Sequence, residues 1–277
     1  WSGPHPYHVK AAGGASPGIL RKVMLRIENL TKNFGGLTAV NDVTFEVSGR
    51  GITGLIGPNG SGKTTLFHLI TGFYELDRGR VYFKDRLISG LSPHTISRMG
   101  LVRTFQQTRA LPFMSTLDNL LSSAPDQAGE HLISVFFKPA RVKQEEKKNR
   151  ERAMEILDIL KLSPLAEHLA GKLSFGQQKL IEWGRVLMAK PKMILLDEPT
   201  AGINPTLVRQ LVEIITRLCN EGIKIFLIEH NMPFIAEICE KIFVMDSGNL
   251  IFSGTPAEAR ENNRVIEAYL GKENHAA

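Results

Sequence analysis

The hydrophobic positions of this 277-residue chain follow a strand period first and a mixed helix and strand pattern later. Apolar residues alternate with polar ones over residues 43–47, and two short apolar stretches follow over 81–88, which predicts an antiparallel β layer. Residues 194–197 and 225–229 are almost continuously apolar, and a helical pattern from Pro205 to about Asn220 separates them. Strand, helix and strand in this order predict a βαβ unit in a buried parallel sheet.

The strand pattern disappears between about residues 112 and 172, where helix-forming residues dominate. Within this region, Ala153, Ile156, Leu157 and Leu160 fall on one face of a predicted helix. We interpret the region as a helical subdomain inserted into an α/β core.

The composition is that of an ordinary globular protein, with 43% hydrophobic residues and a net charge of +6. No stretch approaches the roughly 18 to 20 apolar residues that a membrane-spanning helix requires. The basic cluster at residues 141–152 is interrupted by three glutamates and lacks interleaved aromatic residues. A solvated helix face explains such a cluster, so nucleic acid is not an expected partner.

Residues 1–22 lack the apolar core of a signal peptide and include a run of small residues that buries little surface. We expect them to be a disordered tail, or residues left from cloning, ahead of one folded domain at residues 23–277. Cys219 and Cys239 lie in apolar patterns without the spacing of a metal or redox site, so we expect buried, reduced thiols. Reduced thiols fit the cytosol.

Residues 57–65 read GPNGSGKTT and match the phosphate-binding pattern GxxxxGK[ST] between an apolar strand at 52–56 and a helical pattern that stops at Gly72. The three glycines let backbone N–H groups turn toward phosphate oxygens, and the helix adds its positive end. Lys63 can reach the β and γ phosphates, and Thr64 offers a hydroxyl to Mg²⁺. A glycine-rich turn without nucleotide chemistry is the competing interpretation, which the flanking strand and helix disfavour. The residues expected to bind the nucleotide here are Gly57, Pro58, Asn59, Gly60, Ser61, Gly62, Lys63, Thr64 and Thr65.

An acidic pair, Asp197 and Glu198, ends the apolar stretch at 194–197. Strand ends are where α/β sheets place their ligands. We expect Asp197 to hold Mg²⁺, usually through a water, and Glu198 to orient or deprotonate the attacking water. An acidic pair alone more often caps a helix or faces solvent, and only the phosphate loop in the same chain favours the catalytic interpretation.

Four motifs in sequence resemble those of the ATP-binding subunits of ABC transporters. They are the phosphate loop, LSFGQQ at Leu173–Gln178, MILLDEP at Met193–Pro199 and IEH at Ile228–His230. The resemblance covers the chain from about Met24 to Gly271. It implies an α/β fold of the P-loop NTPase class, namely an ABC ATPase core with an antiparallel β layer and an inserted helical subdomain.

In that family each ATP is sandwiched between the phosphate loop of one subunit and the LSFGQQ loop of another. The resemblance therefore implies that Ser174, Gly176 and Gln177 contact a nucleotide held by a partner subunit. Ser174 can donate its hydroxyl hydrogen, Gly176 permits close backbone approach, and the helix predicted from about Gln177 to Lys190 presents a positive end. A turn that only caps this helix is the alternative. Phe175 stands where the commoner motif LSGGQ has glycine.

Other positions carry over one at a time from the resemblance. Gln106 matches the glutamine that joins the core to the helical subdomain and contacts Mg²⁺ or the attacking water. His230 matches the histidine that hydrogen-bonds the γ-phosphate. Phe34 lies where the family stacks an aromatic ring on adenine, although burial under the β layer explains it equally well. Asn204 replaces the aspartate of many relatives, so we expect it to cap the following helix.

Three further segments resemble the ATP-binding subunits of branched-chain amino acid importers. They are GGLTAVNDV at Gly35–Val43, RTFQ at Arg103–Gln106 and VIEAYLG at Val265–Gly271. The resemblance implies an ATP hydrolase that powers such an importer, using ATP and Mg²⁺. The implied metal ligands are Thr64, Gln106 and Asp197, and the implied catalytic residues are Lys63, Gln106, Glu198 and His230.

The same resemblance implies partners and a location. The partners are a second ATP-binding subunit, identical or related, integral membrane permease subunits and, indirectly, a periplasmic or extracellular solute-binding protein. The location is peripheral, at the cytoplasmic face of the cell membrane. ATPases of urea or amide importers and of lipopolysaccharide exporters share much of the pattern. Soluble ABC ATPases acting on DNA or ribosomes, and P-loop kinases or GTPases, are more distant alternatives.

Overall fold

The structure is a computed structural model that describes residues 23–48, 51–104, 110–125 and 139–270. The expected tail at residues 1–22 and the expected ligand Gln106 lie outside these ranges.

Strands and helices are interspersed along the described chain, and the first three strands are consecutive. The strands are β1 (Val23–Phe34), β2 (Leu37–Ser48), β3 (Ile52–Ile56), β4 (Arg78–Phe83), β5 (Arg86–Leu87), β6 (Leu101–Arg103), β7 (Met193–Asp197), β8 (Lys224–Ile228), β9 (Lys241–Asp246) and β10 (Asn249–Gly254). The helices are α1 (Lys63–Ile70), α2 (Pro93–Arg98), α3 (Thr116–Leu121), α4 (Pro139–Ile159), α5 (Phe175–Met188), α6 (Pro205–Asn220), α7 (Met232–Ile238), α8 (Pro256–Glu261) and α9 (Asn263–Leu270). Short 3-10 turns occur at Ser163–Leu165 and Ala170–Lys172.

The first sheet is the predicted antiparallel layer, in the order β2-β1-β4-β5. Leu25 of β1 lies opposite Val47 of β2 and Phe83 of β4, and all three side chains are buried. The ribbon predicted over residues 81–88 is confirmed as β4 and β5, with Ile88 just beyond the last paired residue.

The second sheet has the order β10-β9-β3-β8-β7-β6, with β3, β6, β7, β8 and β9 parallel and β10 antiparallel to β9. The predicted βαβ unit is confirmed as β7, α6 and β8. Successive residues of β8 alternate between two apolar clusters, because Ile225 and Leu227 belong to one, and Phe226 and Ile228 to the other. Helices α5, α6 and α7 cover the first face, and α1 with the antiparallel layer covers the second. The sheet is thus buried on both faces, with its loops free to form a site at its edge.

The predicted helical region is confirmed where it is described. Helix α4 packs against α3 and α5, and its residues Ala153, Ile156 and Leu157 are buried, as is Leu160 just after it. Over 112–125 and 139–172 the structure contains no strand, only an isolated bridge between Ser115 and Leu169.

Within the described ranges, no helix combines the length and apolarity needed to cross a bilayer. Both cysteines are free thiols, as expected, with Cys239 buried and Cys219 only partly so. Burial raises the pKa of the Cys239 thiol to about 12, so it stays protonated at neutral pH.

Candidate functional site

The loop between β3 and α1 has the curled backbone that the phosphate-binding pattern predicts. Gly57, Gly60 and Gly62 have φ angles of 149°, 77° and 99°, in the region that favours glycine. A Cβ added to Gly57 would lie 2.1 Å from the carbonyl oxygen of Met245, and one on Gly62 would lie 2.2 Å from that of Ala39. Gly57 and Gly62 therefore disfavour other residues by both conformation and space, and Gly60 by conformation alone.

The start of α1 is open toward a ligand. Its N-cap is Gly62, which supplies no side-chain hydrogen bond, so first-turn N–H groups face the loop with the helix dipole behind them. The Lys63 ammonium is buried and donates to the carbonyl oxygens of Gly57 and Pro58 at 2.9 Å each, and to Ser61 Oγ at 3.3 Å. The lysine holds the loop curled and places its charge inside the curve.

Asp197, at the end of β7, is the buried carboxylate that the sequence predicts for Mg²⁺. Its Oδ2 accepts from Arg103 Nη2 at 2.5 Å, and the two side chains are 0% and 4% exposed. Its Oδ1 is buried without a hydrogen-bond partner among the described residues. A buried, unpartnered carboxylate oxygen is the hard ligand that Mg²⁺ prefers, so this side chain fits that ion.

Glu198 and His230, expected separately from their motifs, meet in the structure. Glu198 Oε1 lies 2.9 Å from His230 Nε2. The two side chains are 27% and 37% exposed, so the contact lies at the mouth of the site. The Glu198 backbone has a φ of 48°, and its N–H donates to the carbonyl oxygen of Ile228 at 3.0 Å. The turn after β7 is thereby attached to the end of β8.

Sequence reasoning missed Glu229, which lies just after β8 and is 2% exposed. Its carboxylate accepts from the backbone N–H groups of Thr200 at 2.7 Å, His230 at 2.9 Å and Asn231 at 3.2 Å. It joins the turn carrying Glu198 to the turn carrying His230. The signal was available, since a carboxylate that directly follows the apolar run Ile225–Ile228 needs buried donors.

Arg103 was also missed as a site residue, although its segment RTFQ was noted. It ends β6, beside β7, and its guanidinium neutralises the buried Asp197 carboxylate. The sequence places the two residues 94 positions apart, so no local pattern links them.

The LSFGQQ segment has a different boundary from the predicted one. Helix α5 begins at Phe175 and ends at Met188, so the prediction of Gln177 to Lys190 was wrong by two residues at each end. Ser174 is the N-cap: its Oγ accepts from the Gln177 N–H at 3.3 Å, and Gln177 Oε1 accepts from the Ser174 N–H at 2.9 Å. This reciprocal capping box starts the helix early and confirms the capping interpretation. Contact of Ser174, Gly176 and Gln177 with a nucleotide stays a prediction.

The two departures from the commoner family motifs have local explanations. Phe175 is 49% exposed, and a Cβ added to Gly202, after β7, would lie 3.2 Å from its ring. A Cβ on Gly176 would lie 2.1 Å from Leu207 Cδ2, so a larger residue here would require the Leu207 side chain to move. Asn204 caps α6 as predicted, accepting from the Leu207 N–H at 2.9 Å.

Phe34 is not buried under the β layer. It is 44% exposed and meets Tyr74 edge to face, with ring centroids 5.4 Å apart. The burial alternative was therefore wrong, because the ring ends β1 beyond the core. Stacking on adenine stays a prediction.

The C-terminal helix α9 also approaches the phosphate loop. The Tyr269 hydroxyl is buried, and among the described residues it has no well-formed hydrogen bond. Burial raises the pKa of Tyr269 to about 12, an effect that the nearby Gly57 backbone partly opposes. The VIEAYLG segment thus lies against the first glycine of the loop.

Two family models match the sequence. The one described as ABC transporter matches residues 40–201, and the one described as branched-chain amino acid ATP-binding cassette transporter matches residues 249–275. The high-affinity branched-chain amino acid transport ATP-binding protein BraF of Pseudomonas aeruginosa is 37% identical over 91% of this chain and 100% of its own length. The probable branched-chain amino acid transport ATP-binding protein LivG of Methanocaldococcus jannaschii is 40% identical over 90% of this chain and 98% of its own.

Solved structures agree with the sequence relatives. The crystal structure of a nucleotide-free ATP-binding cassette from an ABC transporter has a TM-score of 0.77 and 39% identity, covering 89% of this chain and 98% of that one. Fold, motifs and near full-length similarity point the same way. The chain therefore belongs to the family of ATP-binding, ATP-hydrolysing subunits of ABC transporters.

Proposed function

We propose that this chain powers the import of branched-chain amino acids as the ATPase subunit of a membrane transporter. The names of the full-length relatives and the C-terminal family model at residues 249–275 support the solute class. Family membership supports a second ATPase subunit and membrane permease subunits as partners. It also supports a peripheral position at the cytoplasmic face, and a solute-binding protein as an indirect partner.

One observation carries the enzymatic part of the proposal. The phosphate loop after β3, the acidic pair at β7 and His230 after β8 lie at the carboxyl ends of three adjacent parallel strands. Because such ends share one edge of a sheet, these groups converge on one ligand.

ATP would bind with its phosphates against the N–H groups of the curled loop and the open start of α1. Lys63, already inside the curve, would donate to the β and γ phosphate oxygens. Thr64, Gln106 and the free Oδ1 of Asp197 would hold Mg²⁺. When bound, Mg²⁺ neutralises negative charge on the phosphate oxygens. Arg103 orients Asp197 by occupying its other oxygen.

Hydrolysis would use the carboxylate of Glu198 as the general base. Glu198 would accept a proton from the water that attacks the γ-phosphate. His230 contacts the Glu198 carboxylate in the structure and would hydrogen-bond the γ-phosphate when ATP is bound. Glu229 keeps both turns in register, so base and histidine stay within reach of each other.

Two copies would close over two nucleotides. The phosphate loop with Lys63 already binds the phosphates of the chain's own ATP. The start of α5, with Ser174 and Gly176, is a second anion-binding feature and would face the ATP held by the other subunit. Closure drives the permease, and loss of the γ-phosphate removes the charge that joined the subunits.

The test is reconstitution with the cognate permease and solute-binding protein in liposomes that contain ATP. Leucine, isoleucine and valine should be taken up and should stimulate ATP hydrolysis, whereas urea or short amides should not. Glu198→Gln in the same liposomes is the matched control and should abolish uptake. If only a different solute stimulated ATP hydrolysis, the proposed solute class would be wrong, but the assignment as a transport ATPase would stand.

A further inference from the structure

The mechanism leaves Lys179 unused, although it contacts the catalytic turn. Its ammonium donates to the carbonyl oxygen of Ala201 at 2.5 Å and lies 3.5 Å from that of Glu198. Both oxygens belong to the turn that follows β7, whereas Lys179 lies in the second turn of α5. The side chain thus joins the LSFGQQ helix to the peptide of the proposed general base.

Close packing surrounds this link. The Phe175 ring lies against Gly202, and the Lys179 ammonium is 5.6 Å from the centroid of that ring. A Cβ on Gly176 would lie 2.1 Å from Leu207 Cδ2, so the start of α5 lies against the start of α6. Because the Lys179 ammonium bonds to the catalytic turn and the Phe175 ring lies beside Gly202 of the same turn, the start of α5 and the catalytic turn should move together.

The charge on Lys179 is balanced inside the chain. Burial lowers the pKa of Lys179, while the carboxylates of Glu229, Glu182 and Glu198 act in the opposite direction. Glu229 is the same side chain that fixes the Thr200 N–H of the catalytic turn. The turn is therefore held from two sides, by the Glu229 carboxylate at Thr200 and by the Lys179 ammonium at Ala201.

We propose that Lys179 is a positioning residue that couples the two nucleotide sites of a closed pair. A nucleotide at the partner site displaces the start of α5, and the ammonium transmits that displacement to the Glu198 peptide. This inference rests on the proposed function, because only a paired subunit has a partner nucleotide at α5. In thermodynamic terms, ATP bound at one site changes the free energy of ATP binding at the other. The rate of hydrolysis should therefore depend cooperatively on ATP concentration.

Three variants test the role. Lys179→Met keeps the aliphatic stem and removes the donor, Lys179→Arg keeps a cationic donor, and Lys172→Met is the matched control at an exposed lysine in the same segment. The full chain is assayed for ATP hydrolysis against ATP concentration, with thermal unfolding and the Kd for ATP of the dilute subunit measured alongside.

In Lys179→Met the Hill coefficient should fall from above one to about one, and turnover should fall about tenfold, the size of a typical coupling. The Kd for ATP and the Tm should match those of Lys172→Met. Lys179→Arg should recover most of the cooperativity, because its guanidinium can donate to the same carbonyl oxygens.

The contrary results are distinct. If the wild-type chain shows a Hill coefficient of one at every protein concentration, the paired mechanism itself fails. If the wild type is cooperative and Lys179→Met is equally cooperative and active, only the role of Lys179 is overturned. A loss of activity matched by a loss of Tm, with cooperativity retained, would reduce Lys179 to a packing residue and would also overturn the proposal.

Discussion

At the residue scale, the site depends on a left-handed backbone conformation that residues other than glycine seldom adopt. Glu198 has a φ of 48°, and such a left-handed residue costs of order 1–3 kcal/mol and persists only where its surroundings impose it. Here its N–H is bound by Ile228, its carboxylate by His230, and its carbonyl oxygen is approached by Lys179. These three contacts fix both the backbone and the carboxylate of Glu198, which supports the catalytic role proposed for it.

Replacing Glu198 by Gln should separate binding from turnover. The amide keeps the shape of the side chain but accepts no proton, so ATP affinity should change less than about twofold while turnover falls about 10² to 10⁴-fold. Nucleotide titration and phosphate release measure the two quantities. Unchanged turnover would remove Glu198 from the role of base.

Glu229 should affect positioning without touching the nucleotide. Glu229→Gln puts an amide NH₂ group among three backbone N–H donors, so at least one hydrogen bond is lost and about 1–3 kcal/mol of stability with it. Turnover should fall about tenfold, because small displacements at a reacting centre are costly, while the KM for ATP stays near the wild-type value. Denaturant unfolding and steady-state kinetics measure these effects.

The control for Glu229 is Glu237→Gln, at an exposed glutamate of the adjacent helix α7. It should leave both stability and turnover unchanged. Equal effects from the two variants would mean that the buried contacts of Glu229 have no special part in holding the turns.

At the scale of elements, the sequence predicts best where the signals are local. Strand β3 and helix α6 have the predicted bounds, because a short, mostly apolar stretch before a glycine, and an Asn-Pro start, are short-range features. The start of α5 was predicted about two residues late, because the reciprocal bonds between Ser174 and Gln177 begin the helix at Phe175.

Contacts between elements are harder to predict from the sequence than the bounds of single elements. The Arg103–Asp197 pair joins residues 94 positions apart, and Glu198 and His230 are 32 apart. Motif resemblance predicted Asp197, Glu198 and His230, but the pairing of Arg103 depends on β6 lying beside β7, which is a property of strand order. The three-way bonding of Glu229 depends likewise on two loops meeting.

Ser174 permits a test that separates helix capping from anion contact. Ser174→Ala removes the cap and should destabilise the chain by about 1 kcal/mol. Ser174→Asp keeps a good N-cap and should preserve Tm, but its negative charge should repel the phosphates of a partner-held ATP and lower turnover at least tenfold. Thermal unfolding and ATP hydrolysis distinguish the two. If Ser174→Asp hydrolyses ATP as fast as the wild type, Ser174 has no anion near it and serves the helix alone.

At the scale of the whole molecule, chemistry and stability are placed at opposite ends of the parallel sheet. The loops of the site follow the carboxyl ends of the strands, whereas Lys224 begins β8 and is buried at the other end, donating to the carbonyl oxygen of Gly51. Burial lowers the pKa of Lys224 to about 8, while Cys219 and Glu240 nearby act to raise it. The pH dependence of this group can therefore be studied through the folding equilibrium without altering the site.

The sign of that dependence follows from proton counting. The folded state releases the Lys224 proton near pH 8, whereas the unfolded chain keeps it to about pH 10.4. Between these values the unfolded state binds more protons, so this group's contribution to stability rises with pH. Burial raises the pKa of Cys219 to about 11 and that of Cys239 to about 12, so the thiols contribute in the opposite direction. A variant is needed to isolate the lysine.

Lys224→Met provides that comparison, because it keeps the length of the side chain and has no proton to lose. Between about pH 7.5 and about pH 10.5, the unfolding free energy of the wild type should increase relative to that of the variant. The total increase should be up to about 3 kcal/mol, at 1.36 kcal/mol per unit of pKa difference between the folded and unfolded states. Urea denaturation at several pH values measures the difference, with Cys219→Ala in both proteins because the Lys224 charge acts to lower the pKa of that thiol. The Cys239 contribution cancels because both proteins carry it. Parallel curves would show that Lys224 stays charged in the folded chain. ATP affinity at neutral pH should be the same in both proteins, since the substitution lies at the end of the sheet away from the phosphate loop.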